Sequence, residues 1–166
     1  MQTLAWVYFY ASAGVVAVIL AAAAIHKMRF SADFITALAG YRLMPAMTLK
    51  LWWAVPAVEV MAVIELLFSH AQSRWLSLAL FTVYGAAISV NLMRGRTHID
   101  CGCGGDRTPI GWGLVLRNGV LAGLALPFAA PVNVLTLSST LLLAATIAFA
   151  VLSYVTTNQL FANAAR

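Results

Sequence analysis

The chain has 166 residues, of which 63% are hydrophobic and 9% are charged, against roughly 25% charged residues in soluble domains. So few charges cannot cover a water-facing surface, which excludes a soluble domain and indicates an integral membrane protein. The net charge of +5 does not indicate nucleic acid binding, because the basic residues are scattered in ones and twos without a basic stripe.

We expect a single integral membrane domain over residues 1–166. The first apolar stretch, 4–25, is long enough to cross a hydrocarbon core of roughly 30 Å, and it is too long for a cleaved signal peptide. After it, a short helix is predicted from Ser31, as its N-cap, to about Gly40. That helix is too short to span, so we expect it to lie at the membrane interface and to end before Pro45.

Further apolar runs follow this helix. The five tryptophans of the chain lie near predicted helix starts, as an aromatic belt requires. The predicted fold is therefore an all-α, polytopic transmembrane helix bundle of about five spans, with one short interfacial helix. Four spans is the alternative, with Pro127 and Pro131 inside a broken helix. The predicted spans two to five are 49–68, 75–93, 110–129 and 134–154.

Five spans would put the two termini on opposite sides of the membrane. The loops 26–48 and 94–109 would then share a side with the C-terminus, and that side carries nearly all the basic residues, with Arg74 on the other. The positive-inside rule therefore places the loop 94–109 in the cytoplasm.

The loop 94–109, here called the cysteine loop, holds the only two cysteines, Cys101 and Cys103. Residues two apart can meet the Cα separation of about 4.4–6.8 Å that a disulfide tolerates, and Gly102 suits so tight a ring. A strained, exposed disulfide is an oxidant and not a structural bond, so we predict a redox pair. The positive side chains expected to favour the thiolate are Arg96, His98 and Arg107.

Two alternatives remain for this loop. The cysteines are inert in a glycine turn, or His98, Asp100, Cys101 and Cys103 bind a metal ion. Adjacent residues such as Asp100 and Cys101 seldom bind one small ion together, so no metal site is assigned.

Charged residues inside the predicted spans form the second candidate feature. Glu59, Glu65 and Arg117 would each cost several kcal/mol in lipid unless paired or hydrated. We expect Arg117 to pair with one of the two glutamates. The pair is either a proton or electron-acceptor site below the cysteine loop, or an ion pair that sets the helix register.

The cysteine loop and the following helix resemble a known family. Arg94-Gly95-Arg96, the run from His98 to Gly105, and Arg117-Asn118 are similar to the MauE family of methylamine utilisation proteins, within the wider MauE/DoxX-like redox-associated membrane proteins. The segment from Phe34 to Pro45 is similar as well. The resemblance implies that Cys101 and Cys103 are the redox pair. Arg96, His98, Asp100 and Arg117 match motif positions without an assigned role.

The resemblance implies a multi-pass protein of the inner membrane that supports disulfide formation in the secreted small subunit of methylamine dehydrogenase. Its expected partner is a thioredoxin-like, membrane-anchored protein of the MauD kind. Electrons would pass to a membrane quinone or come from a cytoplasmic donor, and no cofactor is firmly implied. A non-catalytic scaffold for that partner and a metal-binding or transport protein are the alternatives, so enzymatic activity stays open.

The implied periplasmic role and the positive-inside rule disagree about the cysteine loop. In one arrangement that reconciles them, the loop tucks into the bundle with its arginines facing the site. In the other, the protein relays electrons across the membrane, as transporters of the CcdA kind do. We favour the first.

Overall fold

The computed structural model describes residues 2–43, 45–69, 71–102, 108–127 and 136–164. Within these residues the chain forms six α-helices and one 3-10 helix, with no strand beyond a single isolated bridge. This confirms the predicted all-α bundle. The elements are α1 (Gln2–Arg29), α2 (Ser31–Tyr41), the 3-10 helix (Ala46–Leu51), α3 (Ala54–Phe68), α4 (Trp75–Met93), α5 (Trp112–Leu124) and α6 (Leu137–Ala164).

Four helical stretches among the described residues are long and apolar enough to cross a membrane. They correspond to predicted spans one, two, three and five. α5 has 13 residues, which is about 20 Å of helix at 1.5 Å per residue and short of the roughly 20 residues of a full span. The four stretches are Leu4–Arg29, Met47–Phe68, Trp75–Met93 and Leu137–Leu160.

α5 ends earlier than the apolar run predicted over 110–129. The N–H of Ala125 donates to the carbonyls of Leu121 and Ala122 at 3.0 and 3.1 Å, which closes the last turn. Pro127 follows and has no N–H to continue a helix. Hydropathy alone does not report this end, because the residues after it are still apolar.

Contacts between the helices establish their directions. Arg74, just before α4, bonds to the carbonyls of Phe9 and Leu124, so the start of α1 and the end of α5 lie at what we call the Arg74 end. Arg117 of α5 bonds to Asn158, so the second half of α6 lies at the opposite, cysteine end. The start of α1 and the end of α6 are therefore at opposite ends, as five crossings require, although α5 is short.

The core is built around α1, which packs against α3, α5 and α6. Phe9, Val16 and Leu20 of α1 are almost completely buried. A Cβ on Gly14 would lie 2.6 Å from Ile147 Cδ1, so glycine permits the close approach of α6. Small residues serve this purpose between helices in lipid.

The short helix α2 differs from its prediction at both ends. Ser31 is its first residue and not its N-cap, because Phe30 precedes the helix and no side chain caps it. Gly40 lies inside the helix, and Arg42 takes the left-handed conformation at φ 47°. One face of α2 packs against the described part of the cysteine loop. The buried residues of α2 are Phe34, Ala37 and Tyr41.

Candidate functional site

The described part of the cysteine loop is held by a short antiparallel clip between residues 99–101 and 108–110. The N–H of Cys101 donates to the carbonyl of Thr108 at 2.9 Å, and a second bond of 2.9 Å closes the other side. One isolated bridge lies between these bonds. The clip gives Cys101 a defined backbone position.

Asp100 and Gly102 shape the turn that leaves the clip. An Asp100 carboxylate oxygen accepts a bond from the N–H of Gly102 at 3.2 Å. Gly102 has φ +67°, which glycine adopts without steric cost, and a Cβ there would lie 3.1 Å from that of Ala37. Asp100 therefore orders the turn, and Gly102 lets α2 lie against it.

Cys101 is disulfide-bonded and buried, with 8% of its surface exposed. It clusters with Tyr41 of α2, Ile88 of α4 and Leu114 of α5. The prediction of an exposed disulfide is wrong for this residue, because three helices cover it. Cys103, the other predicted member of the redox pair, lies outside the described residues.

Tyr41 anchors the cysteine segment from α2. Its hydroxyl donates to the carbonyl of Cys101 at 3.2 Å. Burial, and then the negative charge of Asp100, raise the pKa of Tyr41 to about 12, against the opposing effect of Arg117. The hydroxyl therefore remains protonated, and a donor, at neutral pH.

Arg117 approaches the sulfur of Cys101 from α5. Its Nη2 lies 3.9 Å from Cys101 Sγ, while its Nη1 donates to Asn158 Oδ1 at 2.8 Å. The guanidinium carbon lies 5.7 Å from the ring centroid of Tyr154. A cation placed in this way favours the thiolate of a reduced cysteine.

Glu59 has a different partner from the one predicted. It is fully buried, and its Oε1 lies 2.6 Å from Lys27 Nζ and accepts a bond from the Tyr84 hydroxyl at 2.8 Å. Glu65 is bound to the turn before α4 and to the start of that helix. The predicted pair between Arg117 and Glu59 or Glu65 is therefore wrong.

An apolar cavity of about 180 Å³, here called the cysteine cavity, lies between α1, α2, α4 and the cysteine segment. Lys27 is on its wall with its Nζ 5.5 Å from the ring centroid of Phe34 and 5.7 Å from that of Tyr84. The cavity thus joins the buried ion pair to the cysteine segment. Its lining includes Lys27, Phe34, Tyr41, Tyr84, Ala87 and Cys101.

The remaining predicted residues lie around this centre. Arg96 follows α4, with its N–H bound to the Asn91 carbonyl at 3.0 Å and its Nη1 buried without a hydrogen-bond partner among the described residues. His98 is exposed, and Arg107 lies outside the described residues. The cation that the described contacts bring to the sulfur is Arg117.

Sequence reasoning missed four contributors to the site. Lys27 was counted only among the basic residues of the loop 26–48, although a glutamate in lipid requires a nearby cation. Tyr41 belongs to the segment that resembles the MauE family, which was the signal available for it. No local pattern indicated Tyr84 or Asn158.

The alternative of a metal site is not supported by the described part of the chain. No three His, Cys, Asp or Glu side chains there lie close enough together to hold a metal ion. Asp100 is engaged with the N–H of Gly102. Cys103, one of the four predicted ligands, is not described.

The comparisons with known proteins all identify the same family. The family model described as "Methylamine utilisation protein MauE" matches residues 1–131. The "Methylamine utilization protein MauE" of Paracoccus denitrificans is 36% identical over 118 residues, which is 68% of this chain and 63% of that protein. The protein of the same name from Methylophilus methylotrophus is 40% identical over 121 residues, 69% of this chain and 64% of that protein. The one from Paracoccus versutus is 34% identical over 119 residues, with shares of 69% and 64%.

These matches cover only part of this chain and part of each relative. The chain spans less than two thirds of the length of these relatives. The family match includes α1 to α5 and both cysteines, but it ends before α6, which supplies Asn158 and Tyr154. No solved structure gives a significant match.

Proposed function

This chain belongs to the MauE family of methylamine utilisation proteins, and from that membership and the surroundings of Cys101 we propose that it is a membrane thiol–disulfide redox protein. It supports disulfide formation in a secreted partner, the small subunit of methylamine dehydrogenase. It exchanges thiols with a thioredoxin-like, membrane-anchored protein of the MauD kind. Its place is the inner membrane.

The observation that carries the proposal is the guanidinium of Arg117 beside the sulfur of a disulfide-bonded cysteine. Thiol–disulfide exchange needs the thiolate as nucleophile and as leaving group, and a neighbouring cation stabilises that form. Asn158 accepts a hydrogen bond from the guanidinium, so α6 helps to set its position. A purely structural disulfide has no need of a cation held against its sulfur.

The burial of Cys101 supports one order of events. A thiolate of the partner attacks the sulfur of Cys103, the intramolecular disulfide breaks, and Cys101 leaves as a thiolate stabilised by Arg117. The second thiolate of the partner then attacks the mixed disulfide and releases Cys103. Two electrons pass from the partner dithiol to the cysteine pair, and the partner leaves as a disulfide ready to oxidise its substrate.

An oxidant must then regenerate the disulfide of this protein. We assign this role to a lipid-soluble quinone, which makes the protein an oxidoreductase. The opposite direction, in which a cytoplasmic donor supplies electrons to the cysteine pair, is the alternative. The two differ in the resting state of the pair, which is oxidised in the first and reduced in the second.

The second candidate function is a non-catalytic membrane scaffold for the thioredoxin-like partner. One feature favours it: no residue of α6 over 140–160 is buried, so α6 offers a long apolar face to lipid or to another helix. In that case the thiols have no part in maturation.

The experiment compares the single variants Cys101→Ser and Cys103→Ser, each expressed with the thioredoxin-like partner and analysed by thiol alkylation and non-reducing gels. In Cys101→Ser the Cys103 thiolate attacks the disulfide of the oxidised partner, and the mixed disulfide should accumulate because no Cys101 thiolate can attack Cys103 and release the partner. Cys103→Ser should accumulate little, because the remaining sulfur is buried. Trapping in the opposite pattern would contradict the order of attack.

The double serine variant decides between redox protein and scaffold. Both substitutions lie outside the spans, so the bundle should fold, as its unchanged melting temperature in detergent would show. Disulfides of the dehydrogenase small subunit should then fail to form, with free thiols counted by mass spectrometry. Full disulfide formation with this variant would remove the redox proposal and leave the scaffold.

A further inference from the structure

The cysteine cavity has a size suited to one six-membered ring. Its volume of about 180 Å³ compares with the roughly 150 Å³ of an apolar protein cavity that binds benzene. Leu43 and Val83 stand on its lining with 42% and 60% of their surface exposed. The cavity therefore reaches the outer surface of the bundle, where lipid surrounds the helices.

Polar groups meet at one part of this apolar wall. Lys27 and Tyr84 line the cavity, and both donate to Oε1 of the fully buried Glu59. The other carboxylate oxygen, Oε2, has no hydrogen-bond partner among the described residues. An ammonium carries three donor hydrogens, and the bond to Glu59 uses one of them. The wall thus keeps donor capacity for a ligand, with an open acceptor behind it.

The same cavity touches the sulfur-bearing segment. Cys101 and Gly102 are part of its lining, and Tyr41 fixes the carbonyl of Cys101 beside it. A ring bound in the cavity would lie between the cysteine segment and the Lys27–Glu59 pair. Ionisable residues inside a membrane bundle are costly, so the place of Lys27 on the cavity wall favours a ligand over helix register alone.

We infer that the cysteine cavity binds the head group of a lipid-soluble quinone, the oxidant that regenerates the cysteine pair. This inference rests on the proposed function, because it names the site of its electron acceptor. The thiols of Cys101 and Cys103 give up two electrons and two protons and become one disulfide. The quinone takes up both electrons and both protons and leaves as the hydroquinone.

Lys27 on the wall and Glu59 behind it have distinct parts in this step. Lys27 donates a hydrogen bond to a quinone carbonyl oxygen, which draws electron density toward that oxygen. Glu59 holds the Lys27 ammonium in place, and its Oε2 has no hydrogen-bond partner among the described residues. The isoprenoid tail passes between Leu43 and Val83 into the lipid. A phospholipid acyl chain, the competing occupant, has no acceptor for the remaining donor hydrogens of Lys27.

The test uses variants whose larger side chains fill the cysteine cavity. It measures binding of decylubiquinone to the purified full chain in detergent. Ala87 lines the cavity, whereas its neighbour Ala86 is exposed and does not. Ala87→Phe should weaken decylubiquinone binding by at least about tenfold, and Ala86→Phe should bind like the wild type. Val83→Trp, at the exposed edge, is a second blocking variant for the case that Ala87→Phe does not fold. Melting temperatures report the fold of each.

A second readout follows the electrons. The reduced wild type and Ala86→Phe should lose two thiols for each decylubiquinone reduced, and the blocked variants should lose them more slowly in proportion to their weaker binding. Unchanged binding in both blocked variants would overturn the inference, as would a wild type that binds no decylubiquinone. Saturable labelling of the lining by a photoreactive phospholipid, undisturbed by decylubiquinone, would assign the cavity to an acyl chain instead.

The outcomes for the site and for the proposed function are separate. Normal maturation with the double serine variant removes the proposed function, whatever the binding data show. Defective maturation with the double serine variant, together with unchanged quinone binding in Ala87→Phe and Val83→Trp, leaves the function standing and overturns only the site.

Discussion

Each end of the bundle holds an arginine inside the protein, and the two are bound in different ways. At the Arg74 end the guanidinium is fully buried and donates to three backbone carbonyls and the hydroxyl of Ser12. At the cysteine end the guanidinium of Arg117 donates to the side chain of Asn158 and lies beside the sulfur of Cys101.

The difference indicates that the fully buried Arg74 stabilises the fold, whereas the partly buried Arg117 acts on the reactive sulfur. The carbonyls around Arg74 come from α1, α5 and the turn before α4, so this one side chain ties three parts of the backbone together. Arg117 is held by a side chain and directed at a reactive atom. Removing Arg74 should therefore affect stability, and removing Arg117 should affect reactivity.

The largest effect is expected at the Arg74 end. Arg74→Met leaves buried carbonyls without donors, at about 1–3 kcal/mol for each unsatisfied group, so the loss of unfolding free energy should reach about 4 kcal/mol or more. Thermal unfolding of the protein in detergent measures it. Arg94→Met, at an exposed arginine, is the matched control and should melt like the wild type. Equal melting temperatures for the two variants would remove the architectural role.

Substitutions in the Lys27–Glu59 pair test whether an ion pair also stabilises the fold at the cysteine end. Lys27→Met leaves the carboxylate of Glu59 buried and without its cation, which should cost about 3 kcal/mol of unfolding free energy. Adding Glu59→Gln removes the stranded charge and should recover part of that loss. The same unfolding assay follows both variants. A double variant no more stable than Lys27→Met would mean that the pair does not act through its charges.

At Arg117 the effect should fall on reactivity instead. In a Cys103→Ser background, Arg117→Met removes the cation beside the remaining thiol, so the pKa of the Cys101 thiol should rise by about one unit. At neutral pH the thiolate fraction, and with it the alkylation rate, should fall about tenfold. The midpoint of alkylation rate against pH measures the shift.

Arg117→Lys is the matched control for this variant. It keeps the charge and loses the planar fork, so the alkylation midpoint should stay close to that of wild-type Arg117. An unchanged midpoint in Arg117→Met would contradict the assignment of Arg117 to the sulfur. A fall in melting temperature as large as that of Arg74→Met would make the two arginines alike.

The membrane helices could be predicted because lipid imposes a local requirement on each of them. A span must satisfy its backbone internally and present apolar side chains, so the run predicted as 75–93 is the helix Trp75–Met93. The predicted second span ends at Phe68, which is also the last residue of α3. The glycine between the cysteines was also readable, since a ring so small requires an unusual backbone, and Gly102 has φ +67°.

The partners of the charges could not be predicted in the same way. Glu59 meets Lys27 across 32 residues, and Arg117 meets Asn158 across 41. Such pairs depend on how each helix is rotated about its axis, which packing decides and hydropathy does not record. The burial of Cys101 under α2 was missed for the same reason, because α2 by itself has the composition of an interfacial helix.

The smallest expected effect is at Tyr41, which contributes to stability and also holds the backbone of the reactive Cys101. Tyr41→Phe removes one hydroxyl that donates to the carbonyl of Cys101, so the unfolding free energy should fall by about 1 kcal/mol at neutral pH. The pKa of Tyr41 is raised from 10.0 to about 12 in the folded protein, because burial and Asp100 disfavour the phenolate. The folded state therefore binds this proton more tightly than the unfolded state.

This linkage gives the tyrosine a signature in pH. The contribution of the Tyr41 hydroxyl should be complete below pH 10 and should be lost as the pH rises from 10.0 to about 12. Unfolding free energies of wild type and Tyr41→Phe, measured from pH 7 upward, should converge across this window. Since Tyr41→Phe also frees the carbonyl of Cys101, alkylation of Cys101 in the Cys103→Ser background should quicken slightly. A stability difference that stays constant to pH 12 would show that the hydroxyl is not buried against Cys101.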